Sequence, residues 1–136
     1  MIIRRANHLL AIGSASRSKT SGNMGVYLLS LAELKDLYSL DVSRASVSDA
    51  DMHCFEHMSK LEYLKLASND ISSAGIRYVE GLQRLDELDL SDTNIEDTGL
   101  RYLSKLLALH IIDLSGTQVT DDGVQQLSGL ECLVIR

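Results

Sequence analysis

His53 and His57 stand four residues apart, with Cys54 and Glu56 beside them. On a helix, histidines at that spacing share a face and can reach one metal ion. Met52, Phe55 and Met58 compete for the same segment, because their spacing makes an apolar stripe that turns both histidines toward solvent. Two ligands without a third point to ordinary surface histidines, so no metal and no cofactor is expected. A second candidate is the run Gly13 to Thr20, GSASRSKT, which approaches the phosphate-cradling G-x-x-x-x-G-K-T loop. Ser18 occupies the place of the second glycine, and no helix is expected to begin at Thr20. Serines, histidines and aspartates abound, yet no nucleophile–base spacing is recognisable. No enzyme is expected.

The elements that would position such residues follow a 24-residue period. Leu37, Leu61, Leu85, Leu109 and Leu133 mark it. Three further series share the phase: Leu28, Met52, Ile76, Leu100 and Val124; Leu31, Phe55, Val79, Leu103 and Leu127; Leu34, Met58, Leu82, Leu106 and Leu130. Leu40, Leu64, Leu88 and Ile112 are each followed two residues later by Val42, Leu66, Leu90 and Leu114. Apolar positions in phase over this distance specify a solenoid, whose units bury their apolar faces only against one another.

In the unit Leu85 to Ala108, Leu88 and Leu90 point inward around Asp89, a short strand signal. Thr93 takes the turn, as do Asn69 and Thr117 in neighbouring units, where short polar side chains can bond unpaired backbone groups. Ile95 returns to the core, Glu96 and Asp97 suit a helix start, and Leu100, Leu103 and Leu106 form a buried helical stripe. The pattern LxxLxLSxTxIxDxGLxxLxxL resembles a leucine-rich repeat of the short T-D-x-G-L type. Residues 109 to 132 fit it best; residues 37 to 60 are degenerate, with Ala45 at the turn and Asp51 in place of glycine. The expected fold is therefore α/β: a right-handed solenoid with a curved parallel sheet of about five short strands and helices on the convex side. Before Leu37 only a helix over about 25–35 is expected, and after Cys132 only a final strand, Leu133 to Arg136.

Composition narrows the function. The chain has 136 residues, no Trp, one Phe and a net charge of −6, which disfavours a nucleic-acid surface. No apolar run approaches the ~20 residues of a membrane span. Cys54 and Cys132 fall three repeats apart, roughly 14 Å at the sheet spacing, too far for a disulfide, so free thiols are expected.

Charge is unevenly placed. No acidic residue precedes Glu33, whereas Arg4, Arg5, Arg17 and Lys19 do; the first 32 residues carry +4 and the rest −10. Residues 1–24 read as a basic, Ser-rich segment, a mitochondrial presequence or tail, with an extra degenerate strand at His8 to Ile12 as the alternative. Residues 25–136 read as the repeat domain. A mitochondrial location is expected, with a cytoplasmic one as the alternative. The repeats also resemble small mitochondrial leucine-rich adaptors of the ATP synthase factor B-like group.

Subtracting what the repeat requires leaves the side chains that flank the inward leucines. One concave column reads Ser39, Tyr63, Glu87, Ile111 and Ile135; the next reads Asp41, Lys65, Asp89 and Asp113; the third, Ser43, Ala67, Ser91 and Ser115, is small. Asp41, Tyr63, Lys65, Glu87, Asp89, Ile111 and Asp113 are the candidate partner-binding residues, an acidic strip for a basic segment with an apolar anchor. The expected function is a non-catalytic protein-interaction scaffold, an accessory subunit of a larger, mitochondrial assembly. The alternative, implied by the resemblance, is a free-standing cytosolic adaptor such as a substrate-recognition module of a ubiquitin ligase.

Overall fold

The structure is a computed structural model, and it describes residues 2–5, 8–11, 36–131 and 133–136. Five strands follow the repeat: β3 (Leu37–Asp41), β4 (Tyr63–Lys65), β5 (Glu87–Asp89), β6 (Ile111–Asp113) and β7 (Val134–Ile135), each parallel to the next. Two more strands, β1 (Ile2–Arg5) and β2 (His8–Ala11), extend the sheet in the order β2-β1-β3-β4-β5-β6-β7. β1 runs antiparallel to both β2 and β3. β2 thus coincides with the extra strand considered at His8–Ile12. The expected helix over 25–35 and the Gly13–Thr20 run lie outside the described residues.

Behind the sheet each unit winds through short helical turns: Met52–His57 is 3₁₀, Ser73–Ile76 and Asp121–Val124 are α-helices continued by 3₁₀ turns, and Asp97–Leu103 is the longest α-helix. Met52, Phe55 and Met58 recur every three residues, as do Ile76, Val79 and Leu82 and also Leu100, Leu103 and Leu106 of the α-helical unit, and all nine are buried whichever winding carries them. Between sheet and helices, leucine, isoleucine, valine, methionine and Phe55 form one continuous core.

The units are tied together by side chains that reach one repeat on. Asp97 accepts bonds from Thr120 N (2.8 Å) and Thr120 Oγ1 (2.7 Å), so its carboxyl is held below the usual carboxylate range. Asp49 likewise accepts hydrogen bonds from Ser72 N and Ser72 Oγ. A Cβ on Gly123 would collide with the Asp97 carboxylate, which is why glycine follows the aspartate of this motif. In the degenerate first unit Ala45 cannot close its own turn, and Asn69 of the next unit does so instead. Its Oδ1 accepts from Ala45 N (3.1 Å) and Val47 N (3.0 Å), while its Nδ2 donates to Val42 O and Leu66 O. Thr93 and Thr117 bond only within their own units, each donating to a carbonyl at 2.6 Å.

One expectation about register is corrected. The pairs Glu87↔Ile111 and Leu88↔Ile112 keep the 24-residue phase, but β7 pairs Ile111↔Val134 and Ile112↔Ile135. The last strand has slipped by one residue, which exchanges the faces of its side chains. Leu130 to Ile135 spans the same five positions as Leu106 to Ile111, so chain length does not set the slip. By this pairing Val134, not Ile135, continues the concave column.

Candidate functional site

Strand alternation presents the candidate residues on one face. In β4, Leu64 is buried while Tyr63 and Lys65 are exposed; in β5 and β6, Leu88 and Ile112 are buried between half-buried neighbours. Register aligns Ser39, Tyr63, Glu87, Ile111 and Val134 in one column and Asp41, Lys65, Asp89 and Asp113 in the next. All seven sequence candidates thus lie side by side.

They are not equivalent. Asp89 Oδ1 accepts from Ser91 N (3.0 Å) and Ser91 Oγ (2.7 Å), and Asp113 Oδ1 accepts from Ser115 N (3.0 Å) and Ser115 Oγ (2.6 Å). Asp41 accepts from Ser43 N at 3.0 Å. These carboxylates close the turn after each strand, as Asx turns do. The Ser115 hydroxyl, then its N–H, hold the Asp113 carboxyl below its ordinary range, and Arg136 adds to the effect. Sequence reading missed this role, although the signal was there: Asp41-Val-Ser43, Asp89-Leu-Ser91 and Asp113-Leu-Ser115 repeat it, and Lys65 is followed by Ala67. Serine is present only where aspartate can use it.

The first column carries no such duty. Among the described residues, the Glu87 carboxylate makes one ion pair, to Lys65 at 3.9 Å, worth about 0–1 kcal/mol at a partly exposed position. Tyr63 is 38% exposed and Val134 52%. Below Tyr63 an open hollow leads to Arg84, Asp86 and His110, where His110 Nδ1 lies 2.6 Å from Asp86 Oδ1 and Arg84 bonds Glu62 at 3.0 Å.

His53 and His57 do not converge. Their segment is 3₁₀, so residues four apart point about 120° from each other. His53 Nδ1 is 2.7 Å from Ala50 O, and its Nε2 is 3.7 Å from Cys54 Sγ. The Cys54 thiol is free and buried; burial, then the Asp51 charge, push it up from its ordinary pKa. Cys132 lies outside the described residues. Among the described residues no group of three His, Cys, Asp or Glu side chains could hold a metal ion, and no helix is long and apolar enough to cross a membrane.

Residues 35–95 match a family model described as leucine rich repeat, and residues 108–128 match a second of the same description. Among curated proteins no sequence match is found. Among solved structures, an internalin (inlF) of Listeria monocytogenes superposes with a TM-score of 0.54 at 19% identity, covering 79% of this chain and 36% of that one. Internalin C2 of the same organism gives 0.55 at 18% identity, over 79% and 55% of the two chains. The plant peptide hormone receptor RGFR1, solved in complex with RGF2, gives 0.51 at 15% identity, over 79% and 18%. The chain thus spans only part of each of these proteins, and at such identities the likeness is one of fold. Family match, strand register and the turn bonds repeated from unit to unit agree: the chain belongs to the leucine-rich repeat family.

Proposed function

We propose that this chain is a non-catalytic protein-binding module that docks a basic segment with an apolar anchor on its concave sheet. The observation that carries this reading is the column Tyr63, Glu87, Ile111 and Val134, where an acid lies between partly exposed apolar groups and closes no turn. Leucine-rich repeats commonly present extended concave surfaces to proteins, and the RGFR1 neighbour was solved with a peptide hormone bound. Asp41, Lys65, Asp89 and Asp113 supply the surrounding field, while Tyr63, Glu87 and Ile111 make the direct contacts. Affinity purification of the tagged native chain identifies the partner, and titration of that partner tests the site. Tyr63→Ala combined with Glu87→Lys should weaken binding at least tenfold; unchanged affinity removes the concave-face reading.

A second reading makes the chain an accessory subunit of a larger mitochondrial assembly. The +4 charge of the acid-free first 32 residues favours it. β1 and β2 pair into the sheet, so this version requires the first eleven residues to be retained in the organelle. Imaging of the full-length chain together with mass spectrometry of its amino terminus decides the point. A cytosolic signal sinks it. The adaptor role in a ubiquitin ligase rests on resemblance of repeat type alone.

A further inference from the structure

The helical side carries a second surface that the repeat does not require. Arg77 and Arg101 hold equivalent positions in adjacent units, and each lies over the ring of the tyrosine that follows it. The guanidinium carbon of Arg77 is 4.7 Å from the Tyr78 ring centroid, and that of Arg101 is 4.8 Å from the Tyr102 centroid. Each also donates from Nη2 to its tyrosine hydroxyl, at 2.8 Å and 2.9 Å. Both tyrosines are partly buried and pack against the core, so the rings are fixed platforms, while both arginines are exposed. His53 meets Tyr78 edge-on, with ring centroids 6.5 Å apart, and extends the stripe to a third unit.

The other described cations divide into two sets, and Arg44 and Arg136 likewise form no ion pair with a described carboxylate. Lys60, Lys65, Arg84 and Lys105 each pair with a carboxylate: Asp36, Glu87, Glu62 and Glu80. Residues 33–136 carry −10, so carboxylates are in excess. Among the described residues, Arg77 and Arg101 pair with none of them. Glu80, on the same face, is taken by Lys105 at 2.7 Å.

A guanidinium placed over an aromatic ring and bonded to its hydroxyl is held in position, and its remaining N–H groups can donate to a carboxylate at reduced entropic cost. Arginine and tyrosine are also the residue types that dominate interface energetics. We propose that the Arg77–Tyr78 and Arg101–Tyr102 pairs form a docking surface for an extended acidic segment of a partner protein, crossing two repeats and placing one carboxylate on each guanidinium. This surface is separate from the concave site and does not depend on it.

The test uses the full chain and fluorescent twelve-residue peptides of alternating Glu and Ser, with Gln and phosphoserine versions in place of Glu. The Glu peptide should bind in low salt, at least tenfold tighter than the Gln peptide. Arg77→Gln with Arg101→Gln should abolish binding. Arg77→Lys with Arg101→Lys keeps the charge but loses the planar fork, and should cost at least fivefold. Tyr78→Phe with Tyr102→Phe removes only the hydroxyl bonds and should cost two- to threefold. Tyr63→Ala with Glu87→Lys should leave this binding unchanged, which separates failure here from failure of the concave reading. No binding of the Glu peptide, or equal binding to the arginine-to-glutamine variant, overturns the proposal. So does binding of the phosphoserine peptide alone, which assigns the surface to phosphate.

Discussion

The column Tyr63, Glu87, Ile111 and Val134 and the column Asp41, Lys65, Asp89 and Asp113 lie two residues apart on the same strands and face the same solvent. Asp41, Asp89 and Asp113 are bonded to the turn beyond the strand; Glu87 is not. An acidic residue on a concave sheet can therefore be there for the fold or be left over for a partner, and charge alone does not distinguish them. What separates the two is whether the oxygen atoms are already occupied. Charge reversal of Asp89 and Asp113 would disturb two turns along with the surface, so Glu87 is the cleaner probe of binding.

Six variants would break or sharpen this contrast. Leu88 lies between the columns and points the other way, fully buried; Leu88→Ala should lower the unfolding free energy by about 4 kcal/mol in urea denaturation. Asn69→Ala strands the amides of Ala45 and Val47 and should cost about 3 kcal/mol. The equivalent Thr93→Ala, which loses one bond, should cost nearer 1 kcal/mol; equal losses would refute the bridging role of Asn69. Tyr63→Ala with Glu87→Lys should cost partner binding at least tenfold, about 1.4 kcal/mol, while shifting stability by less than about 0.5 kcal/mol.

Asp89→Ala should show the reverse pattern. It loses the Ser91 bonds and about 1 kcal/mol of stability, with a smaller effect on binding than the Glu87 change. If Asp89→Ala leaves stability untouched, the division of labour fails. The smallest effect is on pH. Folding depresses the Asp113 carboxyl, so its contribution is fully present above the unfolded carboxylate value of about 3.9 and fades as pH falls toward the depressed folded value. Ser115→Ala removes the first cause of that depression, the hydroxyl bond, and keeps the backbone N–H bond, so acid unfolding of that variant should be slightly less steep below about pH 4.

Much of the fold was legible because burial leaves an arithmetic trace. Leucines 24 residues apart must stack, and strand alternation then assigns neighbouring residues to the opposite face. The turn roles of Asn69, Thr93 and Thr117 were legible for the same reason, although the reach of Asn69 into the unit before it was not. The 3₁₀ winding of Met52–His57 was expected as an ordinary helix, because Leu100, Leu103 and Leu106 show the same spacing in an α-helical unit. That error alone brought His53 and His57 onto one face. The slip of β7 left no trace in the sequence, where Leu133 and Ile135 keep the 24-residue phase.

The sequence by itself determined the repeating core, the parallel strands β3 to β7 and the side chains offered on the concave face of β3 to β6, since these follow from periodicity and alternation. Only the tertiary structure decided which of those side chains remain available. Whether Asp89 serves Ser91 while Glu87 stays open, or whether Arg77 chooses Tyr78 over a carboxylate, depends on distances of a few tenths of an ångström between groups. Hydrogen bonds and cation–π contacts are directional and short-ranged, so residue order constrains them far less than it constrains burial.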